Sequence, residues 1–240
     1  MANMKNVLKN GDRFETKHNG WLTVVDYINS TTVVCQFDVT GTKTTVQAVQ
    51  VRKGLVKDDL RPNVIGAYFG LGKYNSTHIA YEVWTGIIDR IIKQPSGYEG
   101  SSLSVEWLNY QCFAQWYEAN VIGVPNPHID KDIIDMGNKV YSSSTCCIVP
   151  CEINKAFVGT MRNGQPAKGA YKVKNSRWQA AVNEGGTQRC LGTFDTYTEA
   201  YATYKVHKEQ YVRGLALKYK DVLNPHIFEL ISNYSIGCSV

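Results

Sequence analysis

Residues 129–154, IDKDIIDMGNKVYSSSTCCIVPCEIN, gather carboxylate, amide and basic side chains at a spacing that can build a metal-assisted site. Ile129 to Ile134 is short and alternates apolar with charged positions, the pattern of a half-buried strand. Gly137-Asn138 is a strong hairpin-turn signal, and Val140-Tyr141 with Cys147 to Val149 supply the return. Pro150 suits the first turn of a helix carrying Glu152, Asn154 and Phe157. The predicted order is strand, loop, strand, helix.

Upstream, two prolines (Pro125, Pro127) end any preceding helix. Before them, HIAYEVWTGIIDRIIK (78–93) predicts an amphipathic helix capped by Thr77, with Ile79, Val83, Ile87 and Ile91 on one stripe widened by Trp84 and Ile88. A second helix is predicted from about Val105 to Asn120, where Trp107, Tyr110, Phe113 and Trp116 recur at helical spacing and read as core. The three glycines of GAYFGLGKYNS (66–76) mark a linker, and without a Gly-Lys-Ser/Thr sequence they do not make a phosphate loop. Nearest the N-terminus, Trp21–Tyr27, Thr32–Phe37 and Thr44–Val51 alternate between turn signals, which predicts a small antiparallel barrel resembling SH3-like barrels. Lys43, Arg52 and Lys53 are its available cations.

Downstream, GAYKVK (169–174), RWQAAV (177–182) and TQRCLGTF (187–194) read as three strands. Thr196-x-x-Glu199 then has the form of a capping box opening a long helix. This region is basic: from Thr160 to Asn224, eleven Lys or Arg face five acids, a local +6 in a chain whose net charge is +5. The rest is therefore near neutral, a charge footprint common to nucleic-acid binders.

Tyr81 to Phe157, with YEVWTGIIDRI, Tyr98-x-Gly100, SVEWLNYQCFAQWYE, IDKD, GNKVYS and CCIVPCEIN, resembles the phage-type HNH endonucleases of the ββα-metal class. The resemblance implies that Asp130 and Asn154 hold one divalent cation, Mg2+ or Mn2+, and that Asn138 fixes the loop. The position after Asp130, where the family places a histidine base, holds Lys131. An ordinary lysine is protonated at working pH and cannot accept a proton. Three readings stay open: His128 acts as the base from the same strand face as Asp130, Lys131 stabilises charge developing on the phosphate, or the site no longer cuts.

The C-terminal region is similar to the AP2 DNA-binding domain, through Gly169-x-Tyr171, Arg177-Trp178-x-Ala180, LGTFDT (191–196), and Glu199-Ala200 with Tyr204. That resemblance implies a three-stranded sheet in the major groove of duplex DNA, where base pairs are distinguishable. The expected contacts are Lys172, Lys174, Arg177, Gln179 and Arg189, with Trp178 open between a sugar-packing and a core role.

Together these readings predict an α+β chain in three parts: a barrel (1–65), an HNH-like unit (66–160) and an AP2-like domain with a helical tail (161–240). The expected function is a DNA endonuclease, with a non-cutting DNA-binding regulator as the alternative and RNA as the less favoured nucleic acid. No apolar run approaches the ~20 residues of a membrane span, and MANMKNVLKNGD lacks the apolar middle of a secretory signal. A cytoplasmic protein without a small-molecule cofactor is expected. Seven cysteines without a Cys-x-x-Cys pair argue against a disulfide framework and a structural zinc.

Overall fold

The computed structural model describes residues 7–157, 161–162, 165–166 and 169–236. It is an α+β chain of helices and several small sheets. Residues 1–6, Thr160 at the predicted domain boundary, Lys168 of the basic region and the last four residues of the tail lie outside the described residues. Two compact units form, one from Met1–Asn75 with Leu108–Gln111, the other from Ser76–Trp107 with Cys112–Val240.

In the first unit, β1 (Arg13–Thr16), β2 (Gly20–Asn29), β3 (Thr32–Phe37) and β4 (Lys43–Val46) pair in that order, all antiparallel. Alternation places Leu22, Val24, Val33, Cys35 and Phe37 in the core. The predicted barrel is not closed: β1 and β4 are the two edges of an open sheet. Thr44–Val51 does not continue as a strand, because the Gln47 amide donates to Gln50 Oε1 (3.2 Å) and the chain turns into α1 (Ala48–Arg52). Ala48 and Val51 of α1 cover apolar surface that strand closure would otherwise bury. Loop residues 66–75 pack with 108–111, where the buried Gln111 donates to Tyr74 O (2.9 Å) and accepts from Tyr74 N (3.0 Å).

The second unit opens with α2 (Ile79–Lys93), capped by His78 rather than the predicted Thr77, since His78 Nδ1 accepts from the Ala80 amide. Its buried stripe is Ala80, Trp84, Ile87, Ile88 and Ile91, and Ile79 lies 55% exposed. The stripe is turned from the predicted one because the Trp84 indole sets the inward direction, donating to the Trp107 carbonyl at 2.8 Å. α3 (Tyr110–Asn120) starts later than predicted, after a 3-10 turn at Glu106–Leu108. Trp107, Phe113 and Trp116 pack ring against ring, with Trp107 and Phe113 fully buried.

β5 (Ser102–Leu103) precedes the central strands β6 (Pro127–Asp130), β7 (Val140–Tyr141) and β8 (Cys147–Pro150), and α4 (Cys151–Phe157) follows β8 directly. β6 pairs antiparallel with β8, Asp130 opposite Cys147 and His128 opposite Val149. Val140-Tyr141 is not part of that return: β7 pairs in parallel with β5. Two short strands, β9 (Met161–Arg162) and β10 (Gln165–Pro166), pair as an antiparallel ribbon. Then β11 (Ala170–Lys172), β12 (Trp178–Glu184) and β13 (Thr187–Phe194) form an antiparallel sheet under α5 (Tyr197–Lys218), and α6 (Pro225–Ser232) packs on α5. The capping box is present: Glu199 N donates to Thr196 Oγ1 and Thr196 N to Glu199 Oε2, both 3.2 Å. One core joins β8 and α4 to this module, with Val149, Ile153 and Phe157 packed among Ala180, Tyr204, Val212 and Leu215.

Candidate nuclease site and duplex-binding face

Residues two apart on a strand share a face, as do residues directly opposite on a paired strand. His128, Asp130, Cys147 and Val149 therefore share one face of the β6–β8 pair. α4 brings Asn154 to it, with Asn154 Nδ2 3.1 Å from His128 Nδ1. In that sense the amide donates to a neutral imidazole protonated at Nε2. Turning the amide over reverses the bond, so that Nδ1–H donates to Oδ1 and Nε2 presents its lone pair. Partial burial holds the His128 pKa below the ordinary histidine value, and the charges of Lys155 and Arg90 act the same way. The ring is thus kept neutral, as a proton acceptor must be.

Asp130 is buried. Its Oδ1 accepts from the backbone amides of Asp132 (2.7 Å) and Ile133 (2.8 Å), tying the loop to the end of β6. Desolvation nevertheless raises its pKa above the ordinary carboxylate value, with Asp132 adding to the rise and the two amides opposing it. Oδ2 accepts no hydrogen bond among the described residues. A buried carboxylate with one oxygen engaged and one open, on the strand face that also carries His128, is a hard donor of the kind a small divalent cation takes. Among the described residues, no group of three or more His, Cys, Asp and Glu could hold a metal. The neighbouring thiols are soft ligands, poorly matched to Mg2+ or Mn2+; burial pushes Cys146 up to about 12 and raises Cys147 as well.

Lys131, standing where the HNH pattern has histidine, points into the loop. It is buried, and its Nζ donates to Asp132 Oδ1 (2.9 Å) and Oδ2 (3.0 Å) and to the Asn138 carbonyl (2.8 Å). Its donors are thus directed into the loop. Asn138 closes the same loop from the other side. Its Nδ2 donates to Val140 O (2.6 Å) and Lys131 O (3.3 Å), and its Oδ1 accepts from Val140 N (3.0 Å). Gly137, with φ of 83°, supplies the left-handed turn that this closure requires.

No family model, curated protein or solved structure matches this chain. The site is therefore read from its own geometry. Sequence reasoning passed over Arg90, which lies within the quoted YEVWTGIIDRI segment. Arg90 stands 5.6 Å over the Tyr98 ring, and its charge acts on Tyr141 and His128 from α2. Lys155, one residue beyond Asn154, was equally legible as a cation beside the predicted ligand.

On the C-terminal sheet, Trp178, Ala180 and Val182 face α5, and a bulge at Ala180/Ala181 admits Leu191 to the core as an extra residue of β13. Trp178 packs edge-on against Tyr197 of α5, ring centroids 5.0 Å apart, which settles it beneath the helix. The opposite face carries Tyr171, Gln179, Cys190 and Thr193. Gln179 Nε2 reaches Cys190 Sγ (3.1 Å), and Arg177 lies along the same side, donating to Thr193 O (3.0 Å) and pairing with Asp195 (3.0 Å). The five expected contacts do not share one face. Lys172 is opposite Trp178 and Arg189 opposite Val182, so both leave the sheet on the helix side. Arg189 there pairs with Glu184, which also meets His207 of α5 at 2.7 Å. Lys174 is exposed in the 3-10 turn Lys174–Ser176.

Proposed function

We propose that this chain is a sequence-directed DNA endonuclease of the HNH type, hydrolysing phosphodiester bonds with one divalent cation. The contact of His128 with Asn154, on the strand face that also carries buried Asp130, is the observation that carries the reading. In it, β6, β8 and α4 are the ββα-metal unit and β11–β13 with α5 an AP2-like module. Asp130 and Asn154 would hold Mg2+ or Mn2+, which would supply positive charge to offset that of the scissile phosphate. His128 accepts the proton of the attacking water at Nε2 while Asn154 orients the ring through Nδ1. A bond from that water oxygen to phosphorus forms as the P–O ester bond breaks, and the leaving oxygen takes a proton from solvent. Lys131 and Asn138 hold the loop that presents Asp130.

The module grips duplex DNA through the face bearing Arg177, Gln179 and Tyr171, with Lys174 at its rim. In the N-terminal unit, Lys43, Arg52 and Lys53 are the cations for phosphate contacts. The protein acts in the cytoplasm, and duplex DNA is preferred to RNA.

The test incubates the protein with duplex DNA with and without Mg2+ or Mn2+, beside His128→Ala, Asp130→Ala and Asn154→Ala. Metal-dependent cleavage is expected to be lost in Asp130→Ala and Asn154→Ala and slowed by about 10²–10⁴-fold in His128→Ala. Cleavage that survives these substitutions removes the site assignment.

Lys131 in place of histidine supports a second reading, a DNA-binding regulator that keeps the ββα unit for shape. It predicts salt-sensitive duplex binding without metal dependence and without nicking at any protein concentration.

A further inference from the structure

We infer that α5 positions the candidate site by holding α4 at both ends, which makes Glu152 and Lys208 positioning residues for Asn154. The inference rests on the nuclease reading for its consequence, while its geometry stands apart from it.

α4 is seven residues long, too short to be stable by itself, and Asn154 sits at its middle. In its first turn, Glu152 Oε2 accepts from Lys218 Nζ and from Tyr219 Oη (2.8 Å), at the C-terminal end of α5. Near its last turn, Lys208 Nζ donates to the Ala156 carbonyl at 2.6 Å. Carbonyls at a helix C-terminus lack intrahelical partners, and a cation there also suits the helix dipole. Lys208 is only 4% exposed, and its face of α5 otherwise carries Tyr204, Val212 and Leu215. An apolar side chain would fill that position at less cost unless the ammonium were needed for the bond it makes. Desolvation accordingly holds the Lys208 pKa below the ordinary lysine value.

The same helix carries the C-terminal sheet through Ala200 and Tyr204. A duplex held by the sheet and the Asn154 amide are thus referred to one rigid element. The consequence is a fixed offset between the bound sequence and the bond cut.

The test compares the full chain with Glu152→Gln, Lys208→Met, the double variant, and the charge-exchanged pair Glu152→Lys with Lys218→Glu. The readouts are the Asn154 side-chain amide resonances, duplex affinity, and the split of kcat from KM. In the double variant the Asn154 resonances move, duplex affinity stays within about twofold, kcat falls by about tenfold or more and KM is kept. The charge-exchanged pair recovers most of the kcat that Glu152→Gln loses. Unmoved Asn154 resonances in the double variant, or affinity and kcat falling together, overturn the inference. If the wild-type protein cuts no DNA, the nuclease reading fails and the amide resonances decide the positioning role alone. Should Lys208→Met not fold, Glu152→Gln, at the more exposed end, decides it.

Discussion

Asp130→Asn separates stability from function at the candidate site. The substitution keeps an acceptor oxygen for the amides of Asp132 and Ile133, now 2.7 and 2.8 Å from Oδ1, and removes only the charge. That charge is buried, and desolvation is the first cause of its raised pKa. The Asn variant is therefore expected to be more stable than wild type at pH 7, by about 0.5–1 kcal/mol on the scale of function-relieving substitutions. Asp130→Ala instead leaves both amides without their acceptor, at about 1–3 kcal/mol each when buried, so a net loss of roughly 2–4 kcal/mol is expected. For a chain of this size each kcal/mol moves Tm by about 2–4 °C, which places the two variants on opposite sides of wild type.

The pH dependence has a definite sign. Because the folded pKa of Asp130 lies above its ordinary value of 3.8, wild type bears no penalty below that value, where the carboxyl is protonated in both states. The penalty grows as pH rises through the folded pKa. The advantage of Asp130→Asn should thus be present at pH 7 and close toward pH 4. Adding Mg2+ or Mn2+ should stabilise wild type, by about 2.7 kcal/mol at one hundred times Kd, and the Asn variant far less. Scanning calorimetry at the two pH values, with and without metal, reads all of this. An Asn variant no more stable than wild type at pH 7, or a gap of the same size at pH 4, would refute the reasoning that the site holds a costly carboxylate open for a cation.

Lys131→Met removes a loop tie whose partner Asp132 is 43% exposed, so the loss should be about 1–2 kcal/mol in denaturant titrations, with duplex affinity unchanged. Arg177→Ala should weaken duplex binding and lower the salt slope of log Kd by about one, whereas Arg189→Ala, on the helix side of the sheet, should leave the slope as it is. Equal slopes for the two would place both on the binding face. Gly169→Ala would set a methyl 2.0 Å from Tyr204 Cγ, so a loss of about 3 kcal/mol or more is expected from thermal unfolding. A tolerant Gly169 would mean that α5 does not press on β11 as described.

Local chemistry was legible wherever one short segment decides its own conformation. The capping box at Thr196 and Glu199 and the β6-loop-β8-α4 order follow from local residues, whereas Gly137-Asn138 turns the loop without making the expected hairpin, because β7 pairs with β5 and β6 with β8. The open N-terminal sheet was not legible, because alternation in Thr44–Val51 reads alike for a strand and for the strand that becomes α1. The sides taken by Lys172 and Arg189 were obscured by pairing: only opposition to Trp178 and Val182 fixes them, and a single strand carries no record of its partner.

By itself the sequence determined which groups are present at the candidate site, a carboxylate, an amide, an imidazole and a lysine where histidine is expected, because side-chain identity needs no fold. Tertiary structure alone decided what each can do. It turned Lys131 inward to Asp132 and Asn138, buried Asp130 with one oxygen open, and set Asn154 against His128 on a helix that α5 holds at both ends. The physical reason is that reactivity here depends on burial and on partners far apart in the chain, and only packing brings those together.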